Sequence, residues 1–427
     1  MNASHPPVAL PSLLCFETLR QRYRRVRARS EAICAPLLPE DCVIQSMPDV
    51  SPPKWHLAHV TWFFETFLLL PFLPGYRTPD PGYDHLFNSY YRTHGAPFPR
   101  AQRGLLARPS LAQVSDYRRH VDQAIDVLLA DPPPTQAGEI QRRLELGLQH
   151  EQQHQELLLM DIRHIFAQNP LCPAYRGDLA TPAPGDAALS WLEFPAGLHH
   201  LGHAGDGFAF DCERPRHRRF VESFLLASRP VNNAEYRAFI DDGGYGRCEL
   251  WLADGWDLIQ REGWQAPLYW RQHDGEWQEM TLGGLRPLDS SAPVCHLSFF
   301  EADAYARWAG ARLPDEAEWE IAAADQPLRG NFLEQDLLQP AAASGAGLRQ
   351  LFGDVWEWTA SAYRPYPGFT PLEGSLGEYN GKFMSGQMVL RGGCCATPEE
   401  HIRASYRNFF YPHMRWQFAG LRLAREA

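Results

Sequence analysis

The chain is 427 residues long, too many for one ordinary hydrophobic core, so two or three domains are expected. With 44% hydrophobic and 21% charged residues, the composition is not that of a long disordered chain. Acidic residues outnumber basic ones by 51 to 40, a formal net charge of -11, which argues against nucleic acid as the main partner because phosphate binding needs a basic footprint.

The chain opens Met1-Asn-Ala-Ser-His5, without the basic start and apolar stretch of a secretory signal. Leu19 to Ile33 is Arg-rich and amphipathic, and reads as a helix. Trp55 to Leu70 is apolar with helical spacing, and Ser51-Pro52 offers a start for it. Within this stretch, the apolar run Phe63 to Leu73 is interrupted by Glu65 and Pro71 and is shorter than the about 20 residues of a membrane span, so no membrane partner is expected. Leu111, Val114, Tyr117, Val121, Ile125 and Leu128 lie on one face of a third helix, which Asp131 and three prolines stop. Glu139 to Phe166 is a fourth. Four helices with prolyl breaks suggest a bundle over residues 1–170. The texture then changes. Four prolines between Asn169 and Ser190 mark a linker, taken as 171–190, and residues 191–427 read as a mixed domain with much irregular structure. Its expected elements include a β run Arg219 to Ala227, helices Phe299 to Ala309 and Asp315 to Ala324, and a β run Met388 to Leu390. The fold class is thus α+β in two domains. Nine irregularly spaced cysteines do not make a disulfide framework, which points to reduced thiols and a cytoplasmic location.

The chemistry concentrates in histidines. His150-Glu-Gln-Gln-His154 puts two imidazoles one turn apart on one helix face, with Leu146 and Leu157 on the same stripe. Bundles build metal sites from such facing side chains, although imidazole suits Fe, Zn, Cu or Ni alike. The same pentapeptide matches the zincin pattern, in which the Glu serves as a general base, so a metal-dependent hydrolase is a competing reading. The metzincin extension of that pattern is absent. His56 and His59, three apart on an apolar helix, offer a third ligand, and pattern alone does not choose between them.

Seven segments occur in order across nearly the whole chain: SPPKWHLAHVTWFFETF, LFNSYY, RGLLARP, HEQQHQELLLMDIRH, GDVWEWTAS, VLRGG and RWQFAGLRLA. Together they closely resemble the sulfoxide synthases of ergothioneine biosynthesis (EgtB), in the branch marked by FNSYY. The resemblance implies a DinB-like four-helix bundle followed by a formylglycine-generating-enzyme-like, C-type-lectin-like domain. It implies a non-haem Fe(II) oxidoreductase that uses O2 to join a thiol sulfur to C2 of the imidazole of hercynine, Nα-trimethylhistidine, as a sulfoxide. The three iron ligands would be His59, His150 and His154, leaving His56 a structural role. Gln153 would orient the substrate imidazole. Tyr90 and Tyr91 would be the active-site phenols that steer the oxygen. Arg100, Arg103 and Arg108 include one or two that would hold the thiol's carboxylate. Asn408, Phe409 and Phe410 would wrap the trimethylammonium group. The branch favours free cysteine as donor over γ-glutamylcysteine. Relatives that make a selenium analogue or couple cysteine elsewhere on histidine, a DinB-type thiol transferase and a lectin-like binding protein are the remaining alternatives. Two features read as structural: the tryptophans of GDVWEWTAS as core, and Gly392-Gly393 as a tight turn. Cys394-Cys395 reads as a pair of buried thiols, since adjacent cysteines cannot supply the separated pair that holds copper in formylglycine-generating enzymes.

Overall fold

A computed structural model describes residues 15–427. The reading of the first dozen residues as lacking a signal lies outside them. The N-terminal part is built on α1 (Phe16–Cys34), α2 (Pro53–Phe64), α3 (Leu111–Ala130) and α4 (Ala137–Ala167). The buried side of α1 is Leu19, Tyr23, Val26, Arg27, Ser30 and Ile33, a single stripe. A capping box between Ser110 and Gln113 starts α3. Every residue of α2 is buried, so it is the central helix, flanked by the others. It continues through a π turn at Glu65–Leu69, which turns the Glu65 carboxylate to accept from Tyr76 and Tyr117. Among the described residues no helix is long and apolar enough to cross a membrane.

Two local expectations need correction. Ser51 does not cap α2: its N–H donates to Asp161 on α4 at 2.8 Å, and its hydroxyl accepts from Arg103 at 2.9 Å. Tertiary partners have taken a side chain that local capping would otherwise use. The run Arg219 to Ala227 is two strands, His217–Val221 and Phe224–Ala227, which belong to different sheets. The first pairs with Gly197–Leu201, the second with Trp191–Phe194 and Ala424–Glu426.

Residues 168–190 contain no helix or strand, yet the segment is packed. Tyr175 is buried and donates its hydroxyl to the carbonyl of Ile33 at the end of α1, at 2.7 Å. The following part holds four small sheets. One has the order Asn408–Phe410, Met388–Arg391, Trp356–Ala362, Ala419–Gly420, and it carries the motif GDVWEWTAS on its third strand. Trp356 and Trp358 are fully buried there, and Glu357 between them accepts from Arg422 and Trp319. Ser298 and Asp315 cap the helices Phe299–Trp308 and Glu316–Ala323. Gly392 and Gly393 both have positive φ, and a Cβ on Gly392 would stand 2.4 Å from the carbonyl oxygen of Leu351, so the turn requires glycine. Cys394 and Cys395 are free, buried thiols.

Candidate metal centre and its surroundings

The bundle brings His59 of α2 together with His150 and His154 of α4, their candidate ligand atoms all within 4.8 Å of one another. The orientation of each ring follows from its other nitrogen. The Nδ1 of His59 lies 2.5 Å from the carbonyl of Phe87, an acceptor, so Nδ1 carries the proton and Nε2 bears the lone pair. That Nε2 is 3.2 Å from the Nε2 of His150. Two nitrogens bound at a right angle to one ion, each at about 2.1 Å, stand about 3 Å apart. His154 is set by a relay. The Nε2 of His56 donates to the Oδ2 of Asp161 at 2.9 Å, which leaves the Nδ1 of His56 as an acceptor 2.8 Å from the Nδ1 of His154. His154 then donates from Nδ1 and keeps Nε2 free. Asp161 is fixed in turn by the Ser51 N–H and by the indole N–H of Trp416, at 3.0 Å, from the second domain.

Burial pushes all three imidazoles toward the neutral form. His59 and His154 lie well below the ordinary histidine value, first because of burial and then because of neighbouring imidazoles; His150 falls to about 3 for the same reasons. Neutral imidazole is the ligating form, so the donor set fits a divalent transition metal. His56, Asp161 and Trp416 form its hydrogen-bonded support.

The intervening Glu151 faces away from the histidines. It is fully buried, pairing with Arg27 at 3.0 Å and Arg118 at 3.2 Å and accepting from Ser30. Burial would raise its pKa, but the two guanidiniums hold it below the usual glutamate value. A carboxylate locked into two ion pairs on the far face of α4 cannot serve as a general base at the metal, which removes the zincin reading of HEQQH.

Of the three arginines, Arg103 is the buried one. Its guanidinium stacks 3.3 Å over Trp55, which itself stacks on His59 at 4.6 Å. It donates to the hydroxyls of Ser51 and Ser89, its Nε has no partner, and no carboxylate pairs with it. Burial and nearby Arg100 push its pKa well below the ordinary value. Lys54 holds the adjoining loop by donating to the carbonyls of Leu106, Ala107 and Pro109. Arg100 and Arg108 are exposed, and Arg100 donates to the carbonyl of Asp49.

Tyr90 and Tyr91 stack on each other at 4.7 Å. Tyr91 reaches the histidines through two intervening rings: Trp62, 5.6 Å from it and 5.7 Å from His59, and Phe63, 6.4 Å from it and 4.5 Å from His150. The phenol whose ring meets His150 edge-on, at 5.7 Å, is Tyr379, which lies in no motif. Its hydroxyl donates to Gln153, and burial followed by the proximity of Tyr90 raises its pKa well above the usual phenol value. Asn408, Phe409 and Phe410 form a half-buried strand one ring removed from these groups: Phe409 stacks near Phe383, which packs on Tyr90, and Phe410 packs on Trp416. A cavity of about 1280 Å³ between the bundle and the second domain is lined by Arg22, Gln149, Phe210, Asp211, Tyr379 and Arg403, and Tyr379 forms part of its wall.

Sequence reasoning missed Asp161, Tyr379, His401 and Tyr406. Asp161 had a signal, since it lies seven residues after His154 on the same helix stripe. Tyr379 and Tyr406 sit in loops and His401 in the single 3-10 turn Glu399–His401, where no periodicity marks a side chain's direction.

Comparison with known proteins agrees with this architecture. Residues 22–158 match the DinB superfamily, and residues 187–343 and 335–427 match the sulfatase-modifying factor enzyme 1-like domain. The chain is 36% identical to the hercynine oxygenase of Mycolicibacterium thermoresistibile, over 88% of each chain. It is 35% identical to the hercynine oxygenase of Mycobacterium tuberculosis, over 88% of this chain and 91% of that one. It also resembles the formylglycine-generating enzyme of Streptomyces coelicolor, at 27% identity over 62% of this chain. A bundle with a histidine triad, joined to that second domain and matched nearly end to end by these oxygenases, places the chain in the hercynine oxygenase family, the oxidoreductases that act as sulfoxide synthases of ergothioneine biosynthesis.

Proposed function

We propose that this protein is a cytoplasmic, non-haem Fe(II) enzyme that joins cysteine to C2 of the hercynine imidazole using O2. The balance is one thiol, one imidazole C–H and one O2 giving one sulfoxide and one water. The observation that carries the reading is the convergence of three neutral imidazole lone pairs beside a buried guanidinium that no carboxylate pairs with directly among the described residues. His59, His150 and His154 hold the metal, and the bound metal supplies one-electron chemistry with O2 and a seat for thiolate sulfur.

The protein's own residues do the rest. Arg103 binds the cysteine carboxylate, whose charge answers the one that burial leaves unpaired. Gln153 orients the substrate imidazole from one helical position before His154. Tyr379 holds a proton against the ring of His150, and Tyr90 and Tyr91 lie near it. The strand Asn408–Phe410 backs the site from the second domain and supports recognition of the trimethylammonium group. In this reading residues 1–170 carry the metal and 191–427 close over it, joined by 171–190. No nucleic acid and no membrane take part.

The test is incubation with Fe(II), hercynine, cysteine and O2, with products read by mass spectrometry. The expected product is the hercynyl-cysteine sulfoxide. Competing cysteine against γ-glutamylcysteine in one reaction gives the ratio of kcat/KM directly. A preference for the dipeptide would overturn the donor assignment, and absence of any C–S product would overturn the function.

A further inference from the structure

A chain of hydrogen bonds runs from Glu145, at the large cavity, to Gln153, the neighbour of His154 on α4, and its direction is fixed from one end. Glu145 is ion-paired with Arg22, and its carboxylate can only accept. It accepts from the Nε2 of Gln149 at 2.9 Å, so the Oε1 of Gln149 faces the other way, 2.6 Å from the Nδ1 of His401. That nitrogen must donate. Burial, with Arg403 and Arg22 nearby, holds His401 well below the ordinary histidine value, so the ring is neutral and its Nε2 is an acceptor. The partner of Nε2 is the hydroxyl of Tyr406 at 2.9 Å, which spends its proton there. The oxygen of Tyr406 then accepts from the Nε2 of Gln153 at 2.7 Å. The amide of Gln153 is thereby turned with its oxygen toward Tyr379, which donates to it. A flipped Gln153 would ask Tyr406 to donate twice or would leave the Nε2 of His401 without a donor in a fully buried place.

The same residues are held sideways by one ring. Phe210 stacks on Tyr379 at 5.5 Å and packs against Tyr406 at 5.6 Å and His401 at 6.0 Å. Of the two lone pairs on the Gln153 oxygen, Tyr379 uses one, and the other remains for an N–H of the substrate.

We infer that His401 and Tyr406 are positioning residues which decide which end of the Gln153 amide faces the reacting imidazole, presenting its oxygen as an acceptor. This rests on the reading of Gln153 as the contact for that imidazole. The substrate form selected is an imidazole with a proton on the nitrogen that meets Gln153.

The experiment is calorimetric titration of hercynine into the Fe(II)-loaded protein without O2, alongside metal content and thermal unfolding. Gln153→Leu is the reference. Tyr406→Phe keeps the ring that packs on Phe210 and Trp356 while removing the hydroxyl. It and His401→Leu are expected to raise the hercynine Kd by about tenfold, the worth of one buried hydrogen bond, with metal content unchanged. His401→Gln can still donate to Gln149 and accept from Tyr406, and is expected to return the Kd to near the wild-type value. If Gln153→Leu weakens binding while Tyr406→Phe and His401→Leu bind like wild type, the inference is overturned and the role of Gln153 stands. If folded His401→Gln is no better than His401→Leu, the directional argument is wrong. If Gln153→Leu itself binds normally, the underlying reading fails and takes the inference with it.

Discussion

His154 does not choose its own tautomer: Asp161 chooses it through His56. Removing the intermediate ring leaves a ligand free to rotate and to offer either nitrogen. His56→Ala is therefore expected to retain a folded protein but weaken metal affinity about 10- to 100-fold, measured by chelator competition, whereas His150→Ala loses the ion altogether. The structural role expected for His56 from the sequence takes a specific form, a hydrogen bond to each of Asp161 and His154. Arg103 gives a second test at this scale. Its guanidinium has hydroxyls and an indole face, and Asp161 near it but no carboxylate in ion-pair contact among the described residues, so Arg103→Ala is expected to raise KM for cysteine about 10- to 100-fold with a smaller change in kcat, read from steady-state kinetics. The sequence placed this residue among three arginines and could not separate them, because burial depends on the loop that Lys54 ties down from a different helix.

At the level of elements, the site depends on how closely α2 and α4 approach. Gly147, about one turn before His150 and two before His154, sits against Phe64, and a Cβ there would fall 2.5 Å from the ring. Gly147→Ala is expected to push the helices apart, costing about 1–3 kcal/mol of stability in denaturant unfolding and loosening the metal. A Gly→Ala change at an exposed helical site would stabilise instead. Helices α1, α3 and α4 were legible from their apolar stripes and α2 from its apolar length, and the buried set of α3 is Val114, Tyr117, Val121, Ile125 and Leu128 with few additions. The split of Arg219 to Ala227 was not legible, since a continuous β-prone run gives no sign of where the chain changes sheets. Tyr379 was invisible for a related reason: it follows the short turn Gly374–Glu378 in a loop-rich stretch, and only tertiary packing aims it at His150.

Across the whole molecule, the second domain reaches into the bundle at several points. Trp416 holds Asp161, and Trp356 donates to Glu156 at 2.7 Å, so a tryptophan of GDVWEWTAS, read from the sequence as core packing, and one of RWQFAGLRLA tie the domains together. The stability of the second domain has its own pH signature. Asp354, fully buried beneath Asn331, Ala341 and Gln350, is raised by burial from 3.8 to about 6 despite accepting hydrogen bonds from all three. As pH rises from about 4 to 6 the unfolded chain releases this proton first, so the folded state holds more protons and loses stability across that window. The loss from this group is on the order of 3 kcal/mol. Asp354→Asn is expected to flatten the dependence, which urea unfolding at a series of pH values will reveal. An unchanged slope would remove Asp354 as its source.

The Trp416–Asp161 bond also has a consequence in time. His150, His154 and Asp161 leave the ribosome close together, after His59, but Trp416 follows His154 by about 260 residues, which at roughly 5–20 residues per second is on the order of 13–50 s of synthesis. Through that interval a nascent chain has its metal-binding nitrogens without the indole that steadies them and without the domain that covers them. Metal captured before the second domain docks would sit in a half-built pocket open to solvent and oxygen, so the order of synthesis favours loading after the chain is complete.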